Sequence, residues 1–279
     1  MIWQVKGRAI DLEAKTLVMG ILNITPDSFS DAGQFFDEEE AITRGKQMLA
    51  DGADILDIGG ESSRPGSAPV SEAEELRRVI PVIDRLQGET GAVISVDTTK
   101  ARVAGEAMEA GASIINDISA MRFDPKMAGT MARTEAGIVL MHMKGTPADM
   151  QKDPVYGDLL AEVAGFLSER GQFARQAGVP EGAIVYDPGI GFGKTVRHNL
   201  ELVNRLGELK TRLGRPMLSG PSRKSFIGAV LNLPVEERLE GTGAAVALSI
   251  VRGASIIRVH DVREMARVAK MADTILRAV

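Results

Sequence analysis

Gly52-Ala53-Asp54-Ile55-Leu56-Asp57 is the first of three similar six-residue stretches that decide the fold of this chain. The others are Gly111-Ala112-Ser113-Ile114-Ile115-Asn116 and Gly253-Ala254-Ser255-Ile256-Ile257-Arg258. Each predicts a helix that ends near a glycine, followed by a short apolar strand that stops at a polar side chain. Because side chains alternate along a strand, the sixth residues are expected to meet at one end of one sheet. Function should be sought there, around Asp57, Asn116 and Arg258.

Apolar strand-like segments alternate with helical patterns along the chain, which is typical of a parallel sheet. Strands are predicted at 17–22, 55–58, 93–96, 113–115, 138–141, 183–186, 216–218 and 255–259. Helices are predicted at 38–50, 71–87, 100–110, 158–177, 197–213 and 243–252. The second helix should open with a capping box of Ser71 and Glu74.

The number of strand–helix units favours an α/β fold of the (β/α)8 TIM barrel type. An open, doubly wound sheet is the alternative. Residues 2–15 add a short N-terminal β-hairpin around Lys6-Gly7-Arg8. We find no low-complexity linker, so a single domain over 1–279 is expected.

Composition restricts the classes of function. The chain has 279 residues, of which 44% are hydrophobic and 25% charged, and a net charge of -5. This balance argues against nucleic acid or an anionic membrane as the main partner. No apolar run approaches the roughly 18 residues of a spanning helix, and the N-terminus lacks a signal pattern, so a cytoplasmic protein is expected. The absence of Cys excludes disulfides and thiolate metal sites.

Polar residues cluster at the predicted carboxyl ends of the strands, where barrel enzymes place their active sites. In chain order they are Asn23, Asp57 with Glu61, Asp97, Asn116 with Asp117, His142, Asp187, Ser222-Arg223-Lys224, and Arg258 with His260. Two structural alternatives stay open. Asp97 could cap the following helix, and Arg258 could form a salt bridge at the edge of the core.

Four of these side chains suit a flat heterocycle. Asp97 and Asp187 accept hydrogen bonds, Lys224 donates them, and Asn116 can do both. A pterin ring, with N–H donors on one edge and acceptors on the other, has the matching shape.

Three others suit an anion. Arg258, His260 and Asn23 come from the last and first strands, which are neighbours in a closed barrel and lie near the usual phosphate site of that fold. We therefore expect an anionic part of the ligand beside them.

The loops after the first two strands, 25–33 and 62–69, are rich in Gly, Pro and Ser. Phe29, Phe35 and Phe36 make the first loop region unusually apolar, which favours a closing lid over an irregular surface loop.

The segment 187–195 is rich in glycine but does not fit a nucleotide-binding motif. A phosphate loop needs glycine where Pro188 stands, and a dinucleotide fingerprint needs it where Lys194 stands. The glycines are expected to let the backbone pass close beneath a flat ligand held by Asp187.

Several runs of residues together resemble the dihydropteroate synthase family over nearly the whole chain. They lie at 19–31, 57–66, 94–98, 115–118, 141–145, 187–194, 222–225 and 258–261. The resemblance implies a (β/α)8 enzyme that joins 6-hydroxymethyl-7,8-dihydropterin diphosphate to 4-aminobenzoate. It also implies a dissociative mechanism, a Mg2+ ion and a homodimer.

The resemblance assigns residues to each part of the reaction. The pterin would be held by Asp97, Asn116, Met141, Asp187, Phe192 and Lys224. The diphosphate would be held by Asn23, Arg258 and His260, with Asn23 also binding the metal. The 4-aminobenzoate pocket would be formed by Ser62, Ser63, Arg64, Pro65 and Ser222. The catalytic set would be Asp97, Asp187, Lys224, Arg258 and His260.

Two departures from the family pattern stand out. Ser63 replaces a usual threonine, and Pro221 removes one backbone N–H beside Ser222. Three rival functions remain: a pterin-dependent methyltransferase of corrinoid systems, a non-catalytic pterin-binding protein, and an aldolase-like enzyme with a Schiff base on Lys224. The apolar helix around 244–250 is a candidate dimer surface, or alternatively part of the core.

Overall fold

A parallel β-barrel forms the centre of the computed structural model, which describes residues 1–25, 38–62 and 66–278. The strands of the structure are β1 Ile2–Val5, β2 Arg8–Asp11, β3 Leu17–Asn23, β4 Ile55–Gly59, β5 Val93–Asp97, β6 Ile114–Asp117, β7 Gly137–Met141, β8 Ile184–Asp187, β9 Leu218–Ser219 and β10 Ile256–Val259. Strands β3 to β8 pair in chain order, and β10 pairs with both β9 and β3. A parallel bridge between Tyr186 and Met217 joins β8 to the start of β9. This closure confirms the barrel and excludes the open sheet.

The helices surround the barrel. They are α1 Glu38–Ala50, α2 Glu72–Thr90, α3 Ala101–Glu109, α4 Met127–Thr134, α5 Leu159–Gln176, α6 Val196–Asn204, α7 Leu206–Leu213, α8 Ser225–Leu231, α9 Leu239–Val251 and α10 Val262–Leu276. Within the described ranges, none of them combines the length and the apolarity that crossing a bilayer requires.

Two helix predictions need correction. The single helix expected at 197–213 is divided at Arg205, whose φ of -110° and ψ of 20° interrupt the helical backbone. Only half of the capping box at α2 forms, with Ser71 Oγ accepting from Glu74 N at 3.2 Å. The Glu74 carboxylate instead accepts hydrogen bonds from Arg77 and Arg78, which is why it does not reach back to the cap.

The repeated stretches behave as the sequence predicts. Their first residues Gly52, Gly111 and Gly253 have φ of 107°, 112° and 96°, a region that L side chains rarely adopt. Each glycine therefore turns the chain from the end of a helix into the next strand. The apolar residues that follow point alternately to the helices and into the barrel.

The lower half of the barrel is filled by apolar side chains that point inward. This layer includes Met19, Ile55, Ile114, Val139, Val185, Leu218 and Ile256. The hairpin of β1 and β2 closes the same end, since Trp3 and Val5 are fully buried against that layer. Trp3 Nε1 donates to the Ala183 carbonyl at 2.7 Å. Within the described residues, the hairpin thus seals the lower end, and the opposite end is the one at which barrel enzymes bind their ligands.

Candidate active site at the mouth of the barrel

The inward-facing side chains change from apolar to polar toward the carboxyl ends of the strands. Two residues beyond members of the apolar layer, and therefore on the same inner face, lie four polar side chains. They are Asp57, Asn116, Asp187 and Arg258. The first three are buried, and the side chain of Arg258 is 18% exposed. The mouth of the barrel is therefore lined by charged and amide groups above an apolar floor.

Arg258 is the centre of this layer. Its Nε donates to Asp57 Oδ2 at 2.6 Å, and its Nη2 donates to Asp97 Oδ2 at 2.7 Å. Asn116 Nδ2 donates to the same Asp57 oxygen at 3.1 Å. The predicted convergence of the three sixth residues is confirmed. Arg258 also makes the salt bridges of the structural alternative, but a guanidinium has five N–H groups, so others stay available for an anion.

The charges in this layer depend on one another. Burial raises the pKa of Asp97 to about 7, although the Arg258 guanidinium opposes that rise. Burial alone would lower the pKa of Arg258, but the charges of Asp57 and Asp97 have the larger effect, so the pKa is raised. Arg258 thus stays protonated, and without its charge the pKa of Asp97 would rise further.

Asp187, Lys224 and Phe192 form the opposite wall of the mouth. Asp187 Oδ1 accepts a hydrogen bond of 2.6 Å from Gly189 N. Lys224 Nζ lies 4.0 Å from the centroid of the Phe192 ring, a cation–π contact. Burial lowers the pKa of Lys224 to about 8, with Arg258 adding to the effect and Asp187 opposing it. Lys224 is therefore mainly protonated at neutral pH.

His260 and Ser222 form a hydrogen-bonded pair. Ser222 Oγ accepts from His260 N at 3.2 Å and lies 3.0 Å from His260 Nδ1. Burial lowers the pKa of His260 to about 3, and Arg258 and Lys224 add to this. The ring is thus neutral, and if the Ser222 hydroxyl donates to Nδ1, the ring proton sits on Nε2.

The turn that contains Ser222 and Lys224 is anchored by a salt bridge between Arg223 and Asp261. Arg223, whose φ is 55°, donates two bonds to Asp261, from Nε at 2.8 Å and from Nη2 at 2.6 Å. Lys224 N donates to the Pro221 carbonyl at 3.2 Å. The Pro221 ring therefore leaves the turn intact, and the side-chain assignments for Ser222 and Lys224 keep their geometry.

Some polar residues at strand ends do not join the site. Glu61 binds Lys100, which also contacts the buried Glu75. The Asp117 carboxylate accepts from two backbone N–H groups of its own loop. His142 is buried beneath the segment that follows β8. These groups support the loops and do not line the mouth.

Asn23 ends β3 beside Gly59 and is half-buried at the rim. Ser62 lies just beyond β4. The predicted 4-aminobenzoate residues Ser63, Arg64 and Pro65 lie outside the described residues. So do residues 26–33 of the first proposed lid, together with Phe35 and Phe36. The structure therefore places all the predicted pterin and diphosphate residues but only two of the 4-aminobenzoate set.

Comparisons with known proteins identify the family of the chain. The sequence profile described as "Pterin binding enzyme" matches residues 19–260. The chain is 53% identical over 271 residues to the dihydropteroate synthase of Bacillus subtilis (strain 168), covering 97% of this chain and 92% of that protein.

Solved structures of dihydropteroate synthases have the same fold as this chain. The Xanthomonas albilineans dihydropteroate synthase with 4-aminobenzoic acid superimposes with a TM-score of 0.92 at 42% identity. The same enzyme in complex with 7,8-dihydropteroate gives 0.90 at 40% identity. Both cover 100% of each chain. The chain therefore belongs to the pterin-binding enzymes. Within that family it falls among the dihydropteroate synthases, which are transferases.

Proposed function

We propose that this protein condenses 6-hydroxymethyl-7,8-dihydropterin diphosphate with 4-aminobenzoate, giving 7,8-dihydropteroate and pyrophosphate. One observation carries the assignment of roles. Polar groups from strand ends and the turns after them, far apart in sequence, line one mouth above an apolar floor: the carboxyl groups of Asp57, Asp97 and Asp187, the Asn116 amide, the Lys224 amine and the Arg258 guanidinium. This set matches a flat ring with donors and acceptors joined to an anionic leaving group.

The pterin ring would lie between polar groups and an apolar wall. Asp97, Asn116, Asp187 and Lys224 provide acceptors and donors for its edge. The wall is the buried cluster of Ile118, Met141, Met143, Met150 and Phe192. A ring held in this way is fixed in one orientation, which places its methylene toward the diphosphate end.

The leaving diphosphate would bind at Arg258, His260 and Asn23. Arg258 brings charge, and its fixed bonds to Asp57 and Asp97 hold the guanidinium in one orientation before substrate arrives. His260, neutral and bonded to Ser222, would donate from Nε2. These groups stabilise the negative charge that grows on pyrophosphate as it departs.

The residues present fit a Mg2+ ion of the kind that phosphate substrates carry. Mg2+ keeps several waters and takes one or two protein oxygens plus phosphate oxygens, so it needs no acidic cage. The described residues contain no group of three acidic or histidine ligands, whereas Asn23 offers an amide oxygen at the rim. When bound, the ion would neutralise charge on the diphosphate.

The arylamine needs no strong base, because it is already neutral at pH 7. We therefore propose a dissociative substitution in which Asp97 and Asp187 favour positive charge on the pterin as the leaving group departs. Ser222 would border the 4-aminobenzoate pocket, together with Ser62, Ser63, Arg64 and Pro65. The main work of the protein is positioning and electrostatics.

Product analysis tests the proposal. Purified protein with the pterin diphosphate, Mg2+ and 4-aminobenzoate should release pyrophosphate and form 7,8-dihydropteroate. Transfer of a methyl group to a corrinoid instead, or pterin binding with no product, would favour one of the rival functions. The anion-binding groups Arg258 and His260 argue for the synthase, since a methyltransferase has no diphosphate to hold.

We also propose a cytoplasmic homodimer formed through α6, α8 and α9. Helix α9 buries Val246 and Ile250 toward the barrel but exposes Leu248 and Val251, so one face belongs to the core and the other is free for the proposed contact. Beside it lies an apolar groove of about 330 Å3. Its lining includes Leu200, Val203, Phe226, Ile227, Val230, Leu231, Ala244 and Ala245. A second copy would cover this surface.

A further inference from the structure

Lys194 is a buried cation that none of the roles above uses. Its side chain is 3% exposed. Its Nζ lies 2.9 Å from His142 Nδ1, 2.9 Å from the Phe192 carbonyl oxygen and 3.4 Å from the His142 carbonyl oxygen. In the part of the chain that the structure describes, no carboxylate comes within ion-pair distance of this ammonium. Burial lowers the pKa of Lys194 to about 7, and Asp187 opposes this, so the group gains its charge as the pH falls through neutral. A buried charge held by neutral acceptors is costly, and a contribution to the site would explain why it is kept.

The ammonium joins two connections at the mouth of the barrel. His142 directly follows β7, and its N–H donates to the Asp187 carbonyl at 2.9 Å. Phe192 and Lys194 belong to the segment after β8. The two pieces of backbone are very close, because a Cβ on Gly189 would stand 1.9 Å from the His142 carbonyl oxygen. The ammonium thus bridges two segments whose backbones are in contact.

We propose that Lys194 and His142 act as positioning residues, which hold Phe192 and Asp187 in place for the pterin ring; this rests on the function proposed above. The Phe192 carbonyl accepts a hydrogen bond from Lys194, and the Phe192 ring makes the cation–π contact with Lys224. Lys194 therefore determines where one wall of the ring site and one of its donors lie.

The His142 ring has a defined state in this arrangement. When Lys194 is protonated its ammonium has only donors, so Nδ1 accepts and the ring proton sits on Nε2. Burial lowers the pKa of His142 to about 2, and the Lys194 charge adds to the effect. Edge contact with Phe166, at 5.0 Å between ring centroids, fixes the plane of the ring.

Lys194 also acts on Asp187 through space. Burial raises the pKa of Asp187, and four groups oppose the rise: the Gly189 N–H, Lys224, Lys194 and Arg258. Removing the Lys194 charge leaves fewer groups that favour the ionised carboxylate. The pterin is proposed to need an ionised Asp187 as acceptor. Without the Lys194 charge, Asp187 should become protonated at a higher pH, so pterin binding should weaken first on the acid side.

The substitution Lys194→Met tests the proposal, since it keeps the length of the side chain and removes its charge and donors. The matched control is Lys152→Met, which removes an exposed lysine from the neighbouring connection. We expect Lys194→Met to raise KM for the pterin diphosphate by about tenfold, with KM for 4-aminobenzoate within about twofold of the parent. The acid limb of kcat/KM for the pterin substrate should move to higher pH, while Lys152→Met changes neither quantity.

The proposal would be overturned if KM rose equally for both substrates and the acid limb of the kcat/KM profile did not move. A lysine with a merely structural role would give that result. If Lys194→Met does not fold, the His142 variants decide. His142→Leu removes the acceptor but keeps the Lys194 charge, and should raise the pterin KM. His142→Gln supplies an amide acceptor and should restore most of the affinity. A parental pterin KM in His142→Leu would also reject the proposal.

Failure of the proposed function is a separate outcome. It would be seen as absence of pyrophosphate release by the unmodified protein. The variant comparisons are interpreted only against an active parent, so the two results cannot be confused.

Discussion

Arg258 and Asp57, 201 residues apart in the chain, are joined across the mouth of the barrel by a bond of 2.6 Å between Nε and Oδ2. Asp57 is fully buried, and its Oδ2 also accepts from Asn116. Its other oxygen, Oδ1, has no hydrogen-bond partner among the described residues. One carboxylate thus sets the orientation of two groups proposed to bind opposite ends of the substrate.

Replacing this carboxylate should cost both stability and activity. Asp57→Asn leaves the Arg258 charge short of a buried partner, and we expect the free energy of unfolding to fall by about 3 kcal/mol. Urea unfolding measures this. Glu106→Gln, which breaks an exposed pair with Arg102, is the control and should cost less than about 0.5 kcal/mol. Equal free energies of unfolding for the two variants would show that the buried pair contributes no more to stability than the exposed pair.

Pterin affinity should fall as the pH rises through about 8. Burial, with Arg258, lowers the pKa of Lys224 to about 8, so above that pH the amine loses the charge proposed to contact the ring. Calorimetry with the pterin diphosphate at pH 7 and pH 9 should show the Kd of the parent rising by at least about threefold. Lys224→Met should bind weakly at both pH values, with a smaller change. An identical pH dependence in parent and variant would remove Lys224 from the pterin site.

Acid should destabilise the protein in part through His142. Burial lowers the pKa of this residue from 6.5 to about 2, so between pH 7 and pH 5 only the unfolded chain binds a proton there. The stability contributed by neutral His142 is therefore present above pH 6.5 and is lost as the pH falls. Relative to His142→Gln, the parent should lose about 2 kcal/mol between pH 7 and pH 5. Urea unfolding of both proteins at each pH measures the difference, which should be absent if the buried ring titrates normally.

The proposed dimer depends on the exposed apolar face of α9. Leu248 is 53% exposed beside the groove, and a charge there would face the partner. We expect Leu248→Arg to sediment as a monomer at concentrations where the parent is a dimer. Ile275→Arg, at a similarly exposed position of α10, should leave the dimer intact. A monomeric parent would exclude the interface altogether.

Much of the fold follows from the sequence because local patterns determine it. The repeated glycine–apolar–polar stretches predict where strands begin and which residues face inward, and the structure confirms the meeting of Asp57, Asn116 and Arg258. Helix boundaries follow less directly from local patterns. The break at Arg205 has only a weak local signal, Gly207 two residues further on, which lies inside the helix that follows.

Partners across the barrel could not be predicted in the same way. The sequence shows that Asp57, Asp97 and Arg258 share one end, but not which oxygen each guanidinium nitrogen meets. In the sequence, Lys194 stands out only because it occupies the place where a dinucleotide motif needs glycine. Its burial against His142 depends on contacts between segments 52 residues apart, which no local pattern records.

The sealed lower end of the barrel gives the protein an optical reporter. Trp3 is the single tryptophan of the chain, and it is buried against Ala183 at the end opposite the mouth. Its fluorescence should report whether the N-terminal hairpin is packed against the barrel, and it should stay unchanged when ligands bind at the mouth. Unfolding can therefore be followed by emission in the presence of substrate, without a label and without a signal from the active site.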